Sequence, residues 1–310
     1  MRIGGVARIA ALALTAVLLA GCAPSLAEGQ TKVVVGDPAD THALTVDGVE
    51  RSYVAHVPEG AAAGLPETLP VLVVLHGAGG NGAKAEAATG LSGLAKARNF
   101  IVVYPNGTQA ADIEGQLAWN ADGCCAAPRR TQVDDVGFIA AMLDDVEEKF
   151  PVDASRIYFA GFSNGGMMSY RLSCELGDRI AGIAVVAGAF NVADCDRSDT
   201  TDVLIIHGTG DLTVPYRGGP TNEMTASRFG QWTNASVADA TREWIGRNGC
   251  SRFPQTVIEG TVTRATYDEC DDESKLEVIT IAGGTHVWPL APEKGFDASE
   301  TIVEFFGLGS

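Results

Sequence analysis

The chain has 310 residues, of which 46% are hydrophobic and 20% charged, a balance typical of a globular protein with a sizeable core. Its formal net charge of −17 repels nucleic acid and anionic lipid, so we expect no nucleic-acid partner and no membrane binding through surface charge. The length suits one large α/β domain or two small ones.

The N-terminal segment is predicted to be a targeting signal rather than part of the fold. Basic residues precede an apolar run over residues 9–20, which is too short to span a membrane. The run ends in small residues before Cys22 and is similar to a bacterial lipobox, although an ordinary cleavage site remains an alternative. We therefore expect a lipoprotein signal peptide (1–21), a tether (22–41) and a folded domain (42–310). The protein would then be secreted and held at the outer face of a bacterial cell membrane by the lipid on Cys22 alone.

The other cysteines predict disulfides, because their number is even and the signal peptide indicates an oxidising compartment. They are Cys124, Cys125, Cys174, Cys195, Cys250 and Cys270. We expect Cys250 to pair with Cys270 across a short segment, and Cys174 to pair with Cys195. The adjacent remaining two would form a vicinal bridge or stay unpaired. Their spacing does not fit a zinc site, and no metal is expected.

The central part of the chain alternates between predicted strands and predicted helices. It begins with a hairpin over residues 42–57, turning at Asp47-Gly48. Apolar runs typical of strands buried on both faces occupy residues 70–75, 100–104, 183–186, 203–206 and 276–281. Helical spacing is found at residues 83–98, 134–150, 237–248 and 298–306. This order predicts one α/β domain, with a mostly parallel central sheet covered by helices on both faces.

A Gly-x-Ser-x-Gly motif occupies residues 161–165, between a strand-like run (156–160) and a helix-compatible run (166–172). This is the context of a nucleophile elbow, in which a sharp, strained turn exposes the serine, here Ser163. The amide of Asn164, in the first turn of the helix, is then placed to bind an oxyanion. The alternative interpretation is an ordinary glycine turn.

Two further residues could complete a catalytic triad with Ser163. In α/β-hydrolases the acid and the histidine follow the nucleophile in the order Ser, acid, His, at the ends of later strands. Asp211 follows the strand at 203–206, and His286 follows the strand at 276–281. A buried carboxylate orients such a histidine, which takes the proton of the serine and thereby makes it nucleophilic.

Other polar residues have structural interpretations. His76 and His207 lie at strand ends but not where this fold places its base, so we expect both to brace loops. Asp134 and Asp135 open a helix, where acids favour the dipole, and this is preferred to a paired-carboxylate site. The glycine-rich loop at 76–80 follows the first buried strand, where this fold places a second oxyanion amide, although a flexible connector is the alternative. Phosphate binding is disfavoured, because no Gly-Lys-Ser/Thr follows the loop.

Together these segments resemble a family of secreted bacterial esterases, the poly(3-hydroxybutyrate) depolymerases and feruloyl/acetylxylan esterases. The resemblance covers residues 42–306. It rests on His76-Gly77-Ala78-Gly79-Gly80, Tyr104-Pro105-Asn106-Gly107, Trp119-Asn120, Asp134-Asp135-Val136-Gly137-Phe138, the elbow, the stretch 207–216 and Thr285-His286-Val287-Trp288-Pro289.

The resemblance implies an α/β-hydrolase fold with Ser163, Asp211 and His286 as the triad and the amides of Ala78 and Asn164 as the oxyanion hole. It also implies that Trp119 and Trp288 form the walls of the substrate pocket, although each could instead be a core aromatic residue.

We expect a serine esterase that needs no cofactor and acts on a small or oligomeric ester. Feruloyl or acetyl carbohydrate esters and short 3-hydroxybutyrate oligomers are the expected substrates, in preference to insoluble polyester, because no adsorption domain is recognised. Two alternatives remain open: an acyltransferase acting on envelope carbohydrate, and a non-catalytic surface binding lipoprotein.

Overall fold

The structure, a computed structural model, describes residues 40–58, 68–110, 114–195, 199–290 and 296–309. The predicted signal peptide, Cys22 and all of the tether except its last two residues lie outside this part of the chain. The strands are β1 (Asp40–Val46), β2 (Val49–His56), β3 (Leu69–Leu75), β4 (Ile101–Pro105), β5 (Thr108–Gln109), β6 (Leu117–Ala118), β7 (Val152–Phe162), β8 (Gly182–Val186), β9 (Asp202–Gly208), β10 (Gly219–Pro220), β11 (Thr233–Asn234), β12 (Gln255–Glu259), β13 (Val262–Tyr267) and β14 (Leu276–Ile281). The α-helices are α1 (Gly82–Thr89), α2 (Leu91–Arg98), α3 (Ala126–Arg130), α4 (Asp135–Lys149), α5 (Asn164–Glu175), α6 (Glu223–Phe229), α7 (Val237–Arg247) and α8 (Ala298–Phe305).

Ten of these strands form one sheet, in the order β1-β2-β4-β3-β7-β8-β9-β14-β13-β12. The strands from β4 to β14 in this order are parallel, and antiparallel pairs extend the sheet at both edges. The prediction of a mostly parallel α/β sheet is therefore confirmed. Because parallel strands end at the same edge, the loops that follow β3, β7, β9 and β14 meet there.

Helices cover both faces of the sheet. Successive side chains of each strand point to opposite faces, so each strand contributes to the core on both sides. Val71 and Val73 of β3 join a core cluster with residues of α4, α5 and α7, whereas Leu72 and Val74 join a second cluster with residues of α1, α2 and α8. All four of these β3 side chains are fully buried. This explains why the central strands are continuous apolar runs in the sequence.

Some elements differ from the sequence predictions. The single helix predicted over residues 83–98 is two helices, because Gly90 takes a left-handed conformation (φ 64°) that ends α1 before α2 begins. The β12–β13 hairpin was not predicted; all five residues of β12 are exposed, so that strand has no apolar face to produce a pattern. The sheet also begins at Asp40, two residues before the predicted start of the domain.

Three disulfides occur in the described part of the chain. They join Cys174 to Cys195, Cys250 to Cys270, and the neighbours Cys124 and Cys125. The first ties the end of α5 to the segment after β8, and the second closes the loop that carries the β12–β13 hairpin. None of the helices described is both long enough and apolar enough to cross a bilayer.

Candidate active site

Ser163 lies in a sharp turn between the end of β7 and the start of α5. Its backbone has φ 55° and ψ −118°, a strained conformation for a residue with a side chain. Its amide donates to the carbonyl of Val186 at the end of β8 (2.9 Å), and its carbonyl accepts from the amide of Met167 (2.9 Å). The turn is thus held on one side by the sheet and on the other by the helix.

The two glycines of the motif are required by close backbone packing. A Cβ atom on Gly161 would come within 2.2 Å of the carbonyl oxygen of Gly165. A Cβ atom on Gly165 would come within 2.2 Å of the carbonyl oxygen of Leu75, at the end of β3. Since no side chain fits at either position, the Gly-x-Ser-x-Gly pattern follows from the geometry of the turn.

The side chains of Ser163, His286 and Asp211 form a hydrogen-bonded chain. Nε2 of His286 lies 2.9 Å from Oγ of Ser163, and Nδ1 of His286 lies 2.7 Å from Oδ2 of Asp211. Because a carboxylate can only accept, Nδ1 carries the proton and Nε2 is free to accept the serine proton. Asp211 follows β9 and His286 follows β14, which are neighbours in the sheet. This arrangement can generate a serine nucleophile.

Asp211 is held rigidly in an ionised state. Its Oδ1 accepts from the amides of Thr213 (2.8 Å) and Val214 (2.9 Å), and its side chain has no exposed surface. Nε2 of His207 lies 3.4 Å from Oδ2 and donates to the carbonyl of Val214 (2.8 Å). Burial alone would raise the pKa of the Asp211 carboxyl, but hydrogen bonds from His207, His286 and Val214 outweigh it and lower that pKa well below its usual value.

The two predicted oxyanion amides come from different segments, the loop after β3 and the first turn of α5. Ala78 belongs to the loop after β3, in which Gly79 has φ 80° and donates its amide to the carbonyl of Leu117 (2.8 Å). Asn164 is the first residue of α5, so its amide has no acceptor within the helix. Neither amide donates to another residue in the described ranges. Both remain available to an oxygen anion formed beside Ser163.

The side chain of Asn164 fixes the segment that faces the elbow. Its Oδ1 accepts from the amide of Trp119 (2.8 Å), and its Nδ2 donates to the carbonyl of Trp119 (3.1 Å). Asn120, the next residue, donates its amide to Oδ2 of Asp135 (2.7 Å). Asp135 is fully buried and paired with Arg51 at 2.6 Å. Asp135 therefore does more than open a helix, because it also holds the segment after β6 that is hydrogen-bonded to Asn164.

The sequence contains no local signal for the pairing of Arg51 with Asp135. The two residues lie 84 positions apart, and neither forms a recognisable motif with the other. Removing one partner of a buried ion pair of this kind lowers the free energy of unfolding by several kcal/mol. The pair is therefore a requirement of the fold.

His76 is a structural histidine. It is 2% exposed, its Nδ1 lies 2.9 Å from the carbonyl of Gly77, and its Nε2 accepts from the amide of Gly107 (3.0 Å). Burial lowers the pKa of His76 to about 4, so the ring stays neutral at physiological pH. The ring thus joins the loop after β3 to the loop after β4.

The prediction that Trp119 forms a wall of the substrate pocket is wrong. Its side chain is fully buried, its ring packs against His76 at 4.9 Å, and its Nε1 donates to the carbonyl of His76 (2.9 Å). A buried indole with a satisfied N–H is a core residue and offers no surface to a substrate.

Trp288 is half-buried and packs at the edge of the second core cluster. Its Nε1 donates to Oγ of Ser299 (2.9 Å) in α8. The aromatic ring of Phe162 packs against the triad, with its centre 4.9 Å from that of His286. Sequence reasoning did not assign Phe162 a role, although its place inside the Gly-x-Ser-x-Gly motif could have indicated one. Within the residues described, no group of three or more His, Cys, Asp or Glu side chains could hold a metal ion.

Comparison with known proteins gives consistent results. The sequence matches the family described as Phospholipase/Carboxylesterase over residues 62–242, more than half of the chain; this segment includes Ser163 and Asp211 and ends before His286. It is 31% identical over 263 residues to NocK of Nocardia uniformis subsp. tsuyamanensis, which is named as an esterase, covering 79% of this chain and 73% of that relative.

Two further comparisons involve fungal enzymes. The chain is 30% identical over 243 residues to feruloyl esterase B of Piromyces equi, covering 76% of this chain and 42% of that relative, so it spans less than half of that protein's length. The structure of an acetyl xylan esterase from Aspergillus awamori matches with a TM-score of 0.60 and 16% identity, covering 87% of this chain and 99% of the other. At this identity the structural likeness supports the fold alone.

Proposed function

The chain belongs to the phospholipase/carboxylesterase family and is an esterase with an α/β-hydrolase fold, and from that premise we propose that Ser163, His286 and Asp211 are its catalytic triad. The observation that supports this most strongly is the continuous hydrogen-bonded chain from Ser163 Oγ through His286 to Asp211. The strained backbone of Ser163 adds to it, since strain of this kind is found at functional sites.

In the proposed mechanism Ser163 Oγ attacks the ester carbonyl carbon while Nε2 of His286 takes the serine proton. The amides of Ala78 and Asn164 stabilise the negative charge on the carbonyl oxygen. When the tetrahedral intermediate collapses, the carbon–oxygen bond to the alcohol breaks and His286 returns the proton to the departing alcohol. Water then attacks the acyl-enzyme with His286 as base, which releases the acid and restores Ser163.

We propose that the substrates are soluble esters of feruloyl or acetyl groups with carbohydrate, or short 3-hydroxybutyrate oligomers. The name of the relative from Piromyces equi supports the feruloyl class, and the resemblance of residues 42–306 to feruloyl/acetylxylan esterases supports the acetyl class. The resemblance of residues 42–306 to secreted depolymerases and esterases supports the third. Secretion with a lipid on Cys22 remains part of this proposal and rests on the sequence of residues 1–22.

A comparison of soluble and solid substrates tests the proposed substrate class. We expect measurable release of ferulate from methyl ferulate, or of acetate from acetylated xylan, with little erosion of a poly(3-hydroxybutyrate) film. The Ser163→Ala variant is the blank for each assay. Rapid erosion of the film with no cleavage of any soluble ester would replace this proposal with a true polymer depolymerase.

The dependence of activity on pH should have a single acidic limb. The imidazole of His286 must be neutral to accept the serine proton, so kcat/KM should be lower at acidic pH than at neutral pH. Asp211 should cause no further loss of activity between mildly acidic and neutral pH, because its lowered pKa keeps the carboxylate ionised there. The ionised Asp211 stabilises the fold fully at pH values above its pKa in the unfolded chain, which is about 4. This stabilisation is lost only as the pH falls through the lower pKa that Asp211 has in the folded protein.

The different pH dependences of activity and stability can be checked by measuring kcat/KM and the free energy of unfolding over the same pH series. Activity should fall at a pH where the fold is still intact. A kcat/KM that stays flat from acidic to neutral pH would contradict the assignment of His286 as the base.

A further inference from the structure

A small cavity lies beside the candidate active site, between the start of α3 and the end of α6. Its volume is about 190 Å³. The residues that matter for its chemistry are the disulfide-bonded Cys124, the aromatic Phe229 and Trp232, and the arginines Arg129 and Arg130. We call it the arginine cavity.

Two contacts connect the arginine cavity to the predicted oxyanion hole. Nδ2 of Asn164 lies 3.7 Å from Sγ of Cys124. On the other side, a Cβ atom built on Gly79, the neighbour of Ala78, would come within 3.2 Å of the ring of Phe229. The cavity wall therefore contacts Asn164, which carries one oxyanion amide, and lies close to Gly79, the neighbour of the residue that carries the other.

The apolar walls of the arginine cavity are held in place. Phe229 and Trp232 are partly buried and pack against the main core cluster. Nε1 of Trp232 donates to Oδ1 of Asn234 (2.7 Å), which fixes the indole. Two aromatic side chains held in this way suit a short carbon chain or a ring.

The charge of the cavity is opposite to that of the protein as a whole. No acidic residue lines it among the residues described, whereas Arg129 and Arg130 both do. Nε of Arg129 donates to the carbonyl of Asp122 (2.7 Å), which orients its guanidinium. Arg130 is exposed and makes no hydrogen bond or ion pair within the described part of the chain. Guanidinium groups bind carboxylates well because their donors match the two oxygens.

We propose that the arginine cavity is a subsite that binds a carboxylate carried by the ester substrate, with Arg130 as the main anion contact. This inference rests on the proposed function, because it places the subsite beside the serine nucleophile. Within the proposed substrate class it favours esters that also carry a carboxylate beyond the scissile bond, on either the acyl part or the alcohol part. The carbon chain between the two groups would lie against Phe229 and Trp232.

The test compares charged and neutral esters that are otherwise matched. For the acyl side the pair is mono-p-nitrophenyl adipate and p-nitrophenyl hexanoate; for the alcohol side it is 4-acetoxybenzoate and 4-acetoxybenzamide. Each is assayed with the full protein, with Arg130→Gln, and with the control Arg252→Gln. Arg252 is also exposed but lies in a different cleft. Its replacement by glutamine removes the same single positive charge without touching the arginine cavity.

For one of the two pairs, Arg130→Gln should lower kcat/KM for the charged ester by about fivefold, mainly through KM, since a solvent-exposed ion pair contributes modestly. The neutral partner should change by less than about twofold, and Arg252→Gln should leave both esters unchanged within the same margin. The pair that responds identifies the side of the substrate that enters the cavity.

The outcomes separate this inference from the proposed function. If the neutral esters are hydrolysed but Arg130→Gln changes neither charged ester, or if Arg252→Gln lowers them equally, the subsite is wrong and the esterase mechanism stands. If Ser163→Ala hydrolyses the neutral esters as fast as the unaltered protein, the proposed mechanism itself is wrong.

Discussion

Replacing Ser163 with alanine should lower kcat for a p-nitrophenyl ester by roughly 10⁴ or more while the protein stays folded. The reason is that alanine removes the nucleophile, whereas the amides of Ala78 and Asn164 remain to polarise a carbonyl. His286→Ala should be similarly damaging. The double variant should be little worse than either single variant, because the three side chains act as a unit.

The matched control is Ser155→Ala, an exposed serine near the other end of β7. It should retain the activity of the unaltered protein. Steady-state kinetics and circular dichroism on all four variants give the comparison. Unchanged turnover in Ser163→Ala would exclude the proposed role of Ser163, and losses that multiply in the double variant would show that Ser163 and His286 act independently.

Asp211→Asn should lower kcat by roughly 10³ to 10⁴ with a small change in KM. The asparagine oxygen can still accept from the amides of Thr213 and Val214. Its amide group would then donate to Nδ1 of His286 and force the ring proton onto Nε2. In that tautomer His286 cannot accept the proton of Ser163.

Asp297→Asn is the control for this change. Asp297 caps α8 by accepting from the amide of Glu300 (3.0 Å), and asparagine caps helices equally well. This variant should keep full activity and nearly full stability. An Asp211→Asn variant with kcat close to that of the unaltered protein would show that the carboxylate does not set the tautomer of His286.

Local sequence was sufficient for the parts of the site that depend on local geometry. The elbow could be predicted because its tight backbone packing excludes side chains at Gly161 and Gly165, and that exclusion leaves a recognisable motif. Asp211 and His286 could be predicted because parallel strands end at one edge, so a residue just after a strand has a known place. The same argument placed Ala78 in the loop after β3.

Features that depend on long-range packing could not be predicted. Trp119 was assigned to the pocket through the resemblance to the esterase family, but its indole is directed by His76 and its backbone is held by Asn164, both distant in sequence. The pairing of Arg51 with Asp135 and the packing of Phe229 beside Gly79 likewise bring together segments whose separation hides any pattern. These contacts determine the shape of the site, whereas the motifs determine its chemistry.

The most direct test of the account is covalent labelling with a fluorophosphonate, followed by peptide mass spectrometry. The probe reacts with a serine only when a neighbouring base activates it. We predict a single adduct on the peptide that contains Ser163, absent from Ser163→Ala and much slower to form in His286→Ala. Labelling of a different residue, or labelling of Ser163 at the same rate with and without His286, would contradict the proposal that Ser163, His286 and Asp211 act as a catalytic triad.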